Sequence, residues 1–178
     1  MTGQKTWHHR VADMLGLALR KRPADLVEFL NELAEEAEAP ESFVYRRWDE
    51  KRNEHVPTCS ETSLKQTAAL CITLKLMKDK TGGVTSIGER AASPGMFDRI
   101  VTKQTWDVLT EEFGLTQSKL AAITQSLLNR RNPELPTVDA IWEQLSVPGD
   151  LMRFKRFMRL LAQCGGIRAS QKLLYLPL

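Results

Sequence analysis

The residues best placed to do chemistry in this chain are cations near its C-terminal end. Lys155, Arg156 and Arg159 fall on one side of a predicted helix, and Met152 and Gln163 extend the row at i, i+3, i+4, i+7 and i+11. Leu151, Phe154, Met158 and Leu161 share the other side, with Phe157 and Leu160 beside them. A helix seated against a nucleic acid needs this division, one face filling a core and the other meeting phosphates and base edges. Lys and Arg displace condensed counterions and add affinity without reading sequence. Gln163 carries the donor and acceptor that an adenine edge requires. The competing reading is a surface helix that happens to be basic.

The segments around that helix suit the same chemistry. Cys164-Gly165-Gly166 stops it, and Ile167 to Leu178 reads as a short β-ribbon with Arg168 and Lys172 near its tip, in reach of backbone or minor groove. The same ribbon also fits an edge strand on which Lys prevents aggregation. Arg130 and Arg131, in a basic loop ahead of Pro133, and Arg153 would add phosphate contacts. From Gln117 to Leu178 there are 9 Lys and Arg against 4 Asp and Glu, so this third carries +5 while the remainder carries −2. A basic third of this kind points to an anionic partner.

Other chemistries find little support. His8-His9, His55 and Cys59 include an HxxxC spacing, but Pro57 lies inside it and no second ligand pair follows, so no metal site is expected. A metal-dependent nuclease needs clustered carboxylates with a Lys, and Asp49-Glu50-Lys51 is the only local candidate. There is no GxSxG, no phosphate-cradling glycine loop and no HExxH. The expectation is a non-enzymatic protein without a cofactor. Cys59, Cys71 and Cys164 form no disulfide framework, which points to a reducing, cytoplasmic compartment. The N-terminal segment has no apolar core of a secretory signal, and no apolar run approaches the roughly 18 residues that span a bilayer.

The elements that must position these residues are mostly helical. Trp7, Val11, Met14, Leu15, Ala18 and Leu19 repeat at helical spacing, and Pro23 suits the first turn of a second helix carrying Leu26, Phe29, Leu30 and Leu33 on one face and glutamates on the other. Glu41 to Arg52 is read as a third helix, and Thr62 to Lys78 as an apolar, largely buried one on which Thr62, Gln66, Ala69 and Thr73 share one face, either the exposed face or, being small, a site of close helix–helix packing. Ser93-Pro94-Gly95 is taken as the boundary between halves, giving domains 1–95 and 96–178. In the second half, helices are expected from Met96 to Phe113, from Thr116 to Asn129, after Pro136-Thr137, and from Asp150 to Gln163.

Two resemblances follow from these segments. Glu61 to Ala92, with its Leu-Lys-Leu-Met ending, its Gly82-Gly83 turn and Val84-Thr85-Ser86-Ile87-Gly88-Glu89-Arg90-Ala91, resembles the winged-helix domains of bacterial regulators, the last phrase being similar to one found at their wing. The helix, glycine stop and ribbon at the C-terminal end resemble the same superfamily in pattern. Leu115 to Ala121 resembles the second helix of repressor-type helix-turn-helix motifs, but no Gly follows to make the tight turn, so an ordinary capped helix is expected. Pro40 to Arg47, Ala68 to Lys78 and Ser86 to Ala91 occur in an order similar to the small subunit of the CRISPR Cascade complex, an all-helical basic scaffold for guide RNA and target DNA.

The expected fold is therefore mainly α, with two winged-helix-like halves, each with a short β-ribbon as its wing. The expected function is duplex DNA binding through the basic C-terminal helix and wing, in a regulator or a defence-system subunit, with RNA as the other polynucleotide. The alternative is a scaffold subunit of a larger nucleic-acid complex, docked on a protein partner or on a second copy and away from any membrane.

Overall fold

A computed structural model describes residues 6–36, 46–49, 54–57, 61–169 and 175–177. The protein is mainly helical, with two short antiparallel two-stranded ribbons among the described residues. The chain divides into two compact units, Met1–Phe97 and Asp98–Leu178.

The first unit is built on three helices, α1 (Trp7–Lys21), α2 (Leu26–Glu36) and α3 (Glu61–Thr73), with α3 packed against both others. Val11, Met14, Leu15 and Ala18 from α1 meet Leu64, Ala68 and Cys71 from α3, and Phe29, Leu30 and Leu33 close the core from α2. Pro23 lies ahead of α2 and not inside its first turn; Asp25 caps that helix, accepting hydrogen bonds from the backbone N–H groups of Val27 and Glu28. Thr62, Gln66 and Ala69 are exposed, so they do not mark a close helix–helix contact among the described residues, and Thr73 is half-buried, its hydroxyl donating back to the Ala69 carbonyl.

Two further expectations in this unit are corrected. The helix read over Glu41 to Arg52 is instead a strand where the residues are described: β1 (Arg46–Asp49) pairs antiparallel with β2 (Glu54–Pro57), Trp48 opposite His55. The helix read as far as Lys78 ends at Thr73, because Lys75 turns the backbone left-handed at φ 59°. Met77 then bridges Val84, and Ser86–Ala91 forms a short helix, α4, capped by the Thr85 hydroxyl. Gly88 brings α4 against the Leu76 carbonyl and the Leu15 side chain, in space that a Cβ would occupy.

The second unit contains α5 (Phe97–Phe113, whose first residue closes the first unit), α6 (Gln117–Leu128), α7 (Val138–Leu145), α8 (Leu151–Gln163), β3 (Arg168–Ala169) and β4 (Tyr175–Leu176). Three of these helices are capped by the residue at which the sequence reading opens them. Thr116 accepts from the Lys119 N–H, Thr137 from that of Ala140, and Asp150 from that of Met152. Leu120, Ile123 and Leu127 of α6, Ile141 and Leu145 of α7, and Phe154, Phe157, Met158 and Leu161 of α8 fill the core. An aromatic cluster ties α5, α7 and α8 together: Phe113 and Phe154 lie edge-on at 5.3 Å, and Trp142 sits 5.1 Å from Phe154.

Candidate nucleic-acid interface

The sequence of α8 determines which face it buries. Phe154, Phe157, Met158, Leu160 and Leu161 are all inaccessible, and the opposite stripe is Met152, Arg156, Arg159 and Gln163. Met152, Arg159 and Gln163 are exposed, and Arg156 is half-buried. Both Arg156 and Gln163 have interaction partners of their own. Met152 is 63% exposed, so the stripe opens on an apolar side chain before it turns cationic.

The flanks of the stripe are held by carboxylates. Lys155 forms an ion pair with Asp139 of α7 at 2.7 Å and keeps only 22% of its side-chain surface. Arg153 lies on the far flank and grips Glu112 of α5 with two hydrogen bonds of 2.7 Å, its guanidinium also stacked 5.1 Å from the Phe157 ring. Those hydrogen bonds raise the Arg153 pKa above its ordinary value. Both flanking cations are thus oriented by acidic neighbours that sequence spacing did not reveal.

The ribbon sits beside the helix. Tyr175 of β4 is buried, and its backbone N–H donates to the Pro136 carbonyl just ahead of α7 at 2.9 Å. Burial pushes the Tyr175 phenol upward, while the charge and hydrogen bond of Arg159, with Lys155 close by, act in the opposite direction. Arg159 thus lies close enough to the Tyr175 phenol to act on it, while its own surface stays exposed. Arg168 of β3 is exposed and has no ion-pair partner among the described residues. Lys172 lies outside the described residues.

Arg130 and Arg131 follow α6 in an exposed loop. Arg130 pairs with Glu134 at 2.8 Å, and Arg131 has no ion-pair partner among the described residues. Leu128 and Leu135, 44% and 55% exposed, flank them in sequence. Of the sulfur groups, Cys71 and Cys164 are buried thiols whose pKa values burial pushes up to about 12, so neither is a ready nucleophile. Among the described residues no helix is long and apolar enough to cross a membrane.

No protein-family model, curated protein or solved structure matches this chain.

Proposed function

We propose that the second unit binds nucleic acid, with duplex DNA as the partner, and that the contact surface is the exposed stripe of α8 together with β3. The observation that carries this reading is the stripe itself: Arg156, Arg159 and Gln163 on the face opposite a fully buried apolar one, beside a ribbon bearing Arg168. Arg130 and Arg131 add charge from the loop after α6, and Lys155 and Arg153 stand at the flanks as cations shared with Asp139 and Glu112.

The same unit carries the winged-helix reading. The order α6, α7, α8, β3, β4, in which three helices are followed by a two-stranded ribbon, supports this reading. In the first unit the ribbon precedes α3, and Ser86–Ala91 is helical where a wing strand was anticipated, so the reading rests on the second unit.

A scaffold reading draws on a different observation. Met152, Leu128 and Leu135 leave large apolar side chains in solvent on the cationic unit, and such residues suit a protein partner within a nucleic-acid assembly. Fluorescence anisotropy with a labelled random duplex and its single strand, at low and raised salt, separates the readings. Duplex binding that falls linearly with log salt supports the first. Absence of binding to either form supports the second.

A further inference from the structure

The first unit contains a groove that the nucleic-acid reading does not use. It has a volume of about 560 Å³, within the range of about 300–1,000 Å³ typical of small-molecule sites. The C-terminal end of α1 forms one wall with Leu19 and Arg22, the turn after α3 supplies Lys78, Thr81 and Val84, and α4 closes the groove with Glu89.

Arg22, Lys78 and Glu89 have no ion-pair partner among the described residues, although all three line one concavity. Arg22 holds a left-handed backbone at φ 46°, ψ 59°, as the residue that ends α1, and its N–H donates to the Ala18 carbonyl. The Thr81 oxygen accepts from the Gly83 N–H at 3.1 Å, which leaves its own hydrogen to donate. Leu19 and Val84 supply apolar surface between the charged ends.

We propose that this groove is a binding site for a small organic anion. The acid group would sit between the Arg22 guanidinium and the Lys78 ammonium, with the Thr81 hydroxyl as a third donor. An apolar body would lie along Leu19 and Val84, and a hydrogen-bond donor away from the acid group would face Glu89. Two cations against one carboxylate leave the groove with one net positive charge, which selects an anion over a cation or a neutral ligand.

Anilinonaphthalene sulfonate has these parts and reports its binding by fluorescence. The intact protein is titrated with it beside two variants, each checked by far-UV circular dichroism. Arg22→Gly removes the cation and suits the left-handed backbone, so the fold is retained. Lys78→Ala removes the second cation from an exposed position. The expected result is saturable one-to-one binding that weakens about tenfold in each folded variant, the loss of one charge-assisted contact. Non-saturable binding, or equal affinity in the protein and both variants, would overturn the assignment.

Discussion

The Arg153 guanidinium meets the Glu112 carboxylate through two parallel hydrogen bonds, Nε to Oε2 and Nη2 to Oε1, each 2.7 Å long. This fork ties α8 to α5 across 41 residues of sequence, on side chains that remain about one-third exposed. Solvent screening limits what it contributes. A double-mutant cycle over Glu112→Ala and Arg153→Ala, followed by urea unfolding, is expected to give a coupling energy of about 1 kcal/mol. A coupling near zero would show that the fork orients Arg153 without stabilising the unit.

Lys155 and Asp139 make a second prediction, this time for affinity. Asp139 is 58% exposed and neutralises a cation at the edge of the α8 stripe. Asp139→Asn releases that cation, so duplex binding at low salt is expected to tighten about threefold, with stability lowered by less than about 1 kcal/mol. Anisotropy titrations of the two proteins measure it, and binding that fails to tighten in the variant would place Lys155 outside the interface.

These two pairs also show what the sequence could and could not reveal. The boundaries of α6, α7 and α8 were legible because Thr116, Thr137 and Asp150 are local caps with a local signature. The buried and exposed faces of α8 were legible from helical periodicity alone. Glu112 and Asp139 were not, since each lies on another helix and only packing brings it to its cation. The end of α3 was misread because Leu74, Leu76 and Met77 continue an apolar pattern after the backbone has turned at Lys75. The strand at Arg46–Asp49 was misread because Arg47 and Trp48 also fit a helical face, and its pairing with β2 is a non-local choice.

Burial of Cys71 sets a pH dependence. Its thiol titrates at an ordinary value of 9.0 when unfolded and is pushed up to about 12 in the folded protein. A folded-state value raised in this way contributes stability that is fully present below pH 9 and is lost as pH rises towards about 12. The burial of Cys164 and Tyr175 acts in the same direction. Unfolding free energy is expected to fall across this window, and Cys71→Ala is expected to flatten the decline. Peptide-mapped alkylation at neutral pH should leave Cys71 and Cys164 unmodified until denaturant is added; rapid labelling of Cys71 in the native protein would contradict its burial.

Gly88 is the position where α4 can tolerate no side chain. A Cβ there would collide with the Leu76 carbonyl and crowd Leu15 of α1. Gly88→Ala is expected to lower the stability of the protein by about 3 kcal/mol, since backbone must move to make room. Calorimetry tests this, and a variant as stable as the parent would mean that α4 is free to shift.

Nucleic-acid binding by the α8 stripe is tested most directly by reversing its two arginines, the exposed Arg159 and the half-buried Arg156. Arg156→Glu and Arg159→Glu are combined in one variant, its fold is confirmed by circular dichroism, and its affinity for several unrelated duplexes is measured across a salt series. The expected result is a loss of about tenfold or more on every duplex, with a salt dependence shallower by about two phosphate contacts. Unchanged affinity and an unchanged salt slope would contradict the assignment and turn attention to a protein partner.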